Sequence, residues 1–583
     1  MRERPITGKG KEQIDIAKAS SSRPVGCILT MPWLADGTER GIYAASPLAS
    51  PQANGLVHAV QTLKRPEGRA PGQCQDALAS RDFLESLENR FCSFNVRSCP
   101  GNAKPSRPDS WIMTQPLHSS QSKPRPELTR RSFIKSGTAA AALTAASWNR
   151  VIGANERVGI GVIGFGLVGR IHTRNFKAEP DAQVIAVSET LRPRMDAAAA
   201  LVGGQIAQYA DFRRLLEDKN VDGVVVATPD HWHALMTMMA CAAGKDVYVE
   251  KPLTLFVREG RWMVEVARRH KRVVQVGTQQ RSGAHYQRAR ELVRAGRIGK
   301  LVSVQVNYFR NVSPGFGKPP DQAPPPDLDY DLWLGPAPQR PYNPNRAIYH
   351  FRWFWDYSGG QMTNLGQHSL DIVHWITGVK GATAVTSAGG RYFLEDNGEV
   401  PDTQDVMIEY PGYRAVCQWR ECAAGVAPTG MGGLEFHGTK GTLALGRDGF
   451  EILPDKKENP TNIVARIIGG HPVGGPQPVP ELDGQNWTEP AKDTSGDWKD
   501  QYVQHVRNFL ECVKSRKEPN SDLESGHQVA AVCHLANISL RTGRKIRWDA
   551  EKEEIVGDAE AANMLVRPYR KPWDAELKAL GVV

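Results

Sequence analysis

Val158-Gly-Ile-Gly-Val-Ile163, followed by Gly164-Phe165-Gly166-Leu167-Val168-Gly169, is a continuous apolar run that ends in three spaced glycines. The run reads as a fully buried strand, and Leu167 to Phe176 as the opening of a helix. Glycines so placed suit a phosphate cradle. Gly164 permits the tight turn, Gly166 lets the backbone approach a pyrophosphate, and Gly169 lets helix and strand pack closely. The helix N-terminus then presents N–H groups to the phosphates, with Phe165, Leu167 and Val168 completing the loop.

Outward from this loop, strand and helix alternate. Strands are predicted at Val184–Val187, Val221–Ala227, Val247–Val249 and Val273–Val276, and helices at Phe212–Asp218, at His233–Ala243 and up to His270. Such alternation implies parallel strands with right-handed crossovers, whose ligands bind at the strands' carboxyl ends. Glu189 falls there after the second strand, placed for ribose hydroxyls. Its charge would repel a 2′-phosphate, so NAD is favoured, while Arg192 and Arg194 nearby leave NADP open. Thr228 and Pro229 follow the third strand, near the nicotinamide ribose. Glu250 and Lys251 follow the fourth, and Pro252 stops it. His231 and His233 lack a third ligand at suitable spacing, so no metal is expected, and His233 reads as capping and cofactor packing.

The bulk numbers narrow the classes. With 583 residues there is room for two to four domains. The formal charge of +10 is uneven, because residues 1–150 hold 21 Lys+Arg against 12 Asp+Glu. The remainder is nearly neutral and offers no footprint for nucleic acid. Nine cysteines, scattered and without Cys-x-x-Cys spacing, argue against a disulfide framework or a zinc site, and Cys417 and Cys422 read as buried thiols. No apolar run reaches the ~18 residues of a membrane span.

Residues 1–112, rich in Ser, Pro, Arg and Gly, are expected to be a disordered or non-native extension. Residues 113–155 hold Leu128-Thr-Arg130-Arg131-Ser-Phe133 and then an Ala-rich stretch, which resembles a twin-arginine export signal. That implies the twin-arginine export machinery as a partner and a periplasmic or exported location, or a cytoplasmic one if the signal is unused. Residues 156–277 are the expected dinucleotide-binding domain. From 278 to 583 further strands (Val302–Phe309, Asp405–Tyr410, Ala415–Trp419, Gly433–His437, Thr442–Leu445), helices near Asp500–Ser515 and Ser525–Thr542, and an extended tail form a second, α+β domain.

Several motifs in order carry a family resemblance. The glycine loop, Thr228-Pro-Asp-x-x-His233, Gly244-Lys-Asp-Val-Tyr-Val-Glu-Lys-Pro252 and Gln275-Val-Gly-Thr-Gln-Gln-Arg281 resemble those of the Gfo/Idh/MocA oxidoreductases. So do Gly359-Gly-Gln-Met-Thr-Asn-Leu-Gly-Gln-His-Ser-Leu-Asp371, Asn520-x-x-x-Glu-x-Gly-His527 and Gly543-Arg-Lys-Ile-Arg-Trp548. The resemblance implies a doubly wound Rossmann domain, then a domain with a large, open, mainly antiparallel sheet through which homodimers or homotetramers form. It implies Lys251 as the catalytic lysine. The family's common Asp-x-x-x-His maps onto Asn364-Leu-Gly-Gln-His368, where an amide that cannot take a proton replaces the carboxylate. Lys251 and His368 are then the acid/base pair, with Asn364 orienting a substrate hydroxyl. Arg281, Trp353, Trp355 and Asp371 are candidate pocket residues for a carbohydrate-like small molecule.

The expected activity is hydride transfer at a carbinol of a sugar, polyol or glycoside. An exported enzyme meets no pool of free NAD, so a tightly held, recycling cofactor is expected. Glycoside cleavage by oxidation, elimination and reduction is a rival, although the Tyr-Pro-Thr-His segment associated with such glycosidases is absent. A non-catalytic nucleotide-binding protein is another rival, against which the intact Lys251 and His368 speak.

Overall fold

The computed structural model describes residues 157–423, 433–458 and 484–583. The expected extension over 1–112 and the twin-arginine segment within 113–155 lie outside the described residues.

The first sheet is parallel and built from β1 (Val158–Ile163), β2 (Ala182–Ser188), β3 (Ala207–Tyr209), β4 (Gly223–Val226), β5 (Asp246–Val249) and β6 (Val274–Val276). Their order is β3-β2-β1-β4-β5-β6, the doubly wound arrangement whose switch point lies between β1 and β4. Helices α1 (Leu167–Ala178), α2 (Arg192–Val202), α3 (Phe212–Glu217), α4 (Asp230–Ala242) and α5 (Val257–Arg269) connect the strands. Every residue of β1, β4, β5 and β6 is buried, which is why these strands read as unbroken apolar runs. Helix α4 starts at Asp230 instead of His233. Pro229 fixes its entry and Asp230 puts a carboxylate in its first turn, so both histidines lie on the helix.

The second unit begins with α6 (Ala284–Arg294), β7 (Leu301–Phe309), α7 (Tyr330–Leu334), α8 (Gly360–Asn364) and α9 (Gly366–Thr377). It continues through β8 (Ala384–Gly390), β9 (Thr403–Tyr410), β10 (Tyr413–Arg420), β11 (Leu434–Gly438), β12 (Gly441–Gly446), β13 (Gly449–Pro454) and β14 (Ala491–Asp493). Helices α10 (Trp498–Ser515) and α11 (Leu523–Thr542) follow, then β15 (Ile546–Asp549) and β16 (Glu554–Ile555). The ten strands form one sheet, antiparallel except where β7 and β10 run parallel. Along β9 the pattern alternates, with Val406, Ile408 and Tyr410 buried and Met407 43% exposed. One face therefore packs on helices and the other stays open.

Three segments return to the first sheet. Helix α10 packs Val506, Phe509 and Leu510 against Val158, Ile160 and Tyr248. The end of the chain is not the extended tail expected from its sequence. It holds two more helices, α12 (Ala559–Asn563) and α13 (Trp573–Ala579), and Trp573 stacks on Phe212 and meets Trp232 edge-on. Large aromatic surface supplies the driving force that weak periodicity concealed.

The third return is a strap formed by the proline-rich stretch 312–358. Asp329 N donates to Thr190 O at 2.9 Å and Arg192 N to Asp327 O at 3.0 Å. The Trp232 indole Nε1 donates to Trp333 O at 3.1 Å, and His231 Nε2 bonds the same oxygen at 3.0 Å. Gly335, at φ 49°, lies so close to the Trp232 ring that a Cβ there would overlap it. Gly335→Ala is therefore expected to lower unfolding free energy by about 1–3 kcal/mol, from overpacking and left-handed strain. Denaturant titration checks this; an unchanged midpoint would mean the strap does not seat on Trp232.

Candidate active site

The glycine loop behaves as its spacing demands. Gly164 has φ 88°, and a Cβ there would stand 2.7 Å from Ala227 O. A Cβ on Gly169 would strike Gly164 O, whereas one on Gly166 would meet only Arg194 Nη1, at 3.7 Å. Open space thus lies over Gly166, at the N-terminus of α1, where a pyrophosphate needs it. Leu167 and Val168 line the same cleft. Phe165 contributes backbone alone, because its ring is buried with Val187, Met195 and Ala198.

Glu189 reaches back to this loop. Its Oε2 accepts from Phe165 N at 2.8 Å, and its Oε1 from Thr190 N and Leu191 N at 2.8 and 3.1 Å. One carboxylate therefore fixes both the glycine turn and the strap's attachment, and Oε2 keeps lone-pair capacity for a ribose hydroxyl. At the next strand end, Thr228 Oγ1 is buried without a partner and Pro229 lines the cleft beside it. An orphaned hydroxyl, an open glycine and a ribose-ready carboxylate, strung along one cleft of about 1010 Å³, fit a dinucleotide.

His233 acts from behind. Its Nδ1 lies 2.6 Å from Pro252 O and its Nε2 2.8 Å from Thr228 O, so the ring ties the Thr-Pro loop to the Glu-Lys-Pro loop. It contacts carbonyl groups and not the cleft. His231 turns the other way, toward Trp333, so the two histidines do not converge. Among the described residues, no group of three or more His, Cys, Asp or Glu side chains could hold a metal ion.

Lys251 stands at the far end of the cleft. Its Nζ donates to Asn364 Oδ1 at 2.8 Å and to Asn364 O at 3.3 Å, across from the other unit. Burial pushes the ammonium down to about 8; the Glu250 charge opposes that and Arg352 adds to it. Glu250 is buried, with Oε1 2.6 Å from His172 Nε2 and Oε2 accepting from Lys251 N at 3.1 Å. Burial alone would raise its carboxyl, but the His172 bond and the charges of His172 and Lys251 bring it below the ordinary value. Gly277 leaves room for it, since a Cβ there would lie 2.6 Å from Glu250 Oε1.

Asn364 is held in turn. Its Nδ2 donates to Gln361 Oε1 at 3.2 Å, Gln361 Nε2 to Glu421 Oε1 at 2.9 Å, and Arg310 grips Glu421 through two bonds. Beside it, Gln367 Oε1 accepts from Leu253 N at 2.9 Å, a second link between α9 and the Glu-Lys-Pro loop. His368 is 5% exposed, with Nδ1 sealed and unpartnered. Burial holds its pKa well below the ordinary value, and Lys251 and Arg447 push the same way, so the ring is neutral.

None of the four candidate pocket residues lines this cleft. Arg281 and Asp371 form a buried two-pronged ion pair, at 2.8 and 2.7 Å, and Arg281 Nη1 also donates to Asn520 O and Ser525 Oγ. They bind each other and the α11 entrance and do not line the cleft, because a buried guanidinium needs its carboxylate. Trp353 packs among Phe316, His350 and Arg310 inside the strap, and Trp355 lies under Arg541. Sequence reading overlooked His172, Gln361 and Arg352. His172 carried a faint signal, a polar residue one turn before Phe176 on the buried face of α1.

The lysine's proton sets a pH prediction. A lysine lowered to about 8 loses its donor role as pH rises through that value, so kcat/KM is expected to fall above it. Asn364→Asp would place a carboxylate against the ammonium, favour its charged form and move this limb upward by about 1 pH unit. Lys251→Arg, which does not titrate in this range, removes the limb altogether at much reduced activity. Identical profiles for wild type and Asn364→Asp would contradict the assignment.

Comparison with known proteins gives the family of the chain. Residues 158–278 match the family model described as oxidoreductase family, NAD-binding Rossmann fold. Residues 283–421 and 486–575 match the one described as oxidoreductase family, C-terminal alpha/beta domain. Myo-inositol 2-dehydrogenase of Thermotoga maritima is 24% identical over 405 residues, which is 68% of this chain and 99% of that protein. The scyllo-inositol 2-dehydrogenase (NAD(+)) of Bacillus subtilis is 26% identical over 319 residues, 52% of this chain and 81% of its own length. Among solved structures, an NAD binding oxidoreductase from Klebsiella pneumoniae has a TM-score of 0.50 at 21% identity, covering 67% of this chain and 99% of that one. That last likeness is one of fold.

Proposed function

Since this chain belongs to the Gfo/Idh/MocA oxidoreductase family and carries its NAD-binding Rossmann domain, we propose that it oxidises or reduces a secondary carbinol of a sugar, polyol or glycoside. The observation that carries this reading is the Lys251–Asn364 bond at 2.8 Å, which sets an ammonium at the end of the cleft that begins at the glycine loop. The inositol dehydrogenases among its relatives support a polyhydroxylated ring as substrate.

NAD, when bound, supplies the hydride acceptor or donor. The protein's part is positioning and proton handling. Lys251 donates to the reacting oxygen and stabilises its developing negative charge, in a site where burial strengthens that interaction. The neutral imidazole of His368 is in the form that accepts the hydroxyl proton. Asn364 aims Lys251 through Oδ1 and takes no proton itself.

The strap supports a resident cofactor. Leu332, Trp333, Tyr349 and Phe351 line the same cleft as the glycine loop, so a dinucleotide there is walled on the side opposite the sheet. In our reading NAD stays bound and is reduced and reoxidised in place, as a protein exported in folded form through the twin-arginine route requires. Copies of the chain associate through the open face of the ten-stranded sheet.

Purified protein, denatured without added nucleotide, is expected to release NAD at close to one equivalent per chain by chromatography. An empty protein with weak, freely exchanging NAD would sink the recycling reading. Lys251→Ala is expected to cut turnover at least about 100-fold across a panel of sugars and inositols, because donor and charge vanish together. Unchanged turnover would remove Lys251 from the chemistry.

A further inference from the structure

The strap holds several arginines, and their partners differ in kind. Arg340 pairs with Asp356 and Glu399 at 2.6 and 2.7 Å, and Arg346 with Asp321 at 3.4 Å. Arg352 lines the cleft together with Lys251 and Asn364. Its Nη1 donates to Tyr349 O at 2.9 Å, and its guanidinium lies 4.6 Å over the Phe351 ring and 5.3 Å over the Tyr349 ring. Among the described residues no carboxylate comes within ion-pairing distance of it. A half-buried arginine, braced by two rings and a carbonyl, is a preorganised fork that lacks its anion.

The surroundings do not supply that anion. Arg352 lines the cleft with Asp230 and Lys251, at the end where Lys251 meets Asn364. Glu250 there is engaged by His172, and Asp230 accepts from Ser358 Oγ at 2.5 Å while burial pushes its carboxyl up. Arg447 adds further positive charge at Lys251 and His368. A pyrophosphate has its own receptor at the other end, over Gly166 beside Arg194. Glu250 and Asp230 are thus engaged elsewhere, and Arg352 faces the cleft without a carboxylate partner among the described residues.

We infer that Arg352 receives a carboxylate of the substrate, which is then a sugar acid or uronate whose reacting hydroxyl sits at Lys251. This rests on the dehydrogenase reading and narrows its substrate class. The guanidinium binds the two carboxylate oxygens side by side, and the fixed distance from Arg352 to Lys251 selects which ring carbon is presented for hydride transfer.

The test uses matched pairs, D-glucuronate against D-glucose and D-galacturonate against D-galactose, with full-chain protein loaded with NAD. Calorimetric binding and kcat/KM are both read. The acid of each pair is expected to bind about tenfold or more tightly than the neutral sugar, the scale of a charge-assisted hydrogen-bond pair. Arg352→Gln is expected to erase that preference, and Arg352→Lys to keep part of it, with the Kd for NAD unchanged in both. Equal binding of acid and neutral sugar by the wild type overturns the inference. So does a variant that weakens NAD and leaves the preference intact, which would assign Arg352 to the cofactor's pyrophosphate. Turnover of neither member of any pair would count against the dehydrogenase reading, while the binding preference still decides the role of Arg352.

Discussion

Lys251, half-buried at the cleft, finds its hydrogen-bond acceptors on the opposite unit. Both of its bonds end on Asn364, one on the side chain and one on the backbone oxygen, so they form only where the two units meet. Gln367 repeats the constraint by capping Leu253 N two residues further on. The placement of the Lys251 ammonium and the apposition of the units are thus linked at one residue.

The rest of the architecture serves that apposition. Helix α10 lays an apolar face on the first sheet, Trp573 completes an aromatic cluster with Phe212 and Trp232, and the strap hydrogen-bonds to the loop after β2. Glu189 couples the two ends of this system, since one carboxylate holds both the glycine turn and Leu191, at the strap's edge. A cofactor that displaced either contact would loosen both. The glycine-loop end of the cleft is therefore tied together through one carboxylate, while Lys251, Asn364 and Arg352 line its other end.

What the sequence revealed followed the range of the interactions. The glycine loop is local: Gly164, Gly166 and Gly169 act on backbone within a few residues of themselves, and their roles could be read directly. Glu189, Thr228 and Lys251 follow from strand ends, which periodicity marks well. Arg281 and Asp371 looked like pocket groups because residue type does not tell whether a charge already has a partner 90 positions away. The same ignorance works in reverse for Arg352. It stands in the aromatic run from His350 to Trp355, where the tryptophans drew attention as sugar platforms, yet Trp353 is packing and the arginine between the rings faces the cleft. The terminal helices escaped because Trp573 anchors them through contacts more than 300 residues distant, which no local pattern records.

The amide at position 364 follows the same logic of partners. A carboxylate there would hold the Lys251 proton firmly, making a fixed ion pair whose charge changes little over the physiological range. The amide orients the lysine equally well through Oδ1 but contributes no opposing charge, so burial is left to draw the ammonium down to about 8. The lysine then stands close to the point where it can both give and regain a proton near neutrality. The charges of Arg352 and Arg447 nearby push the Lys251 ammonium in the same direction as burial, while Glu250 and Asp230 oppose them.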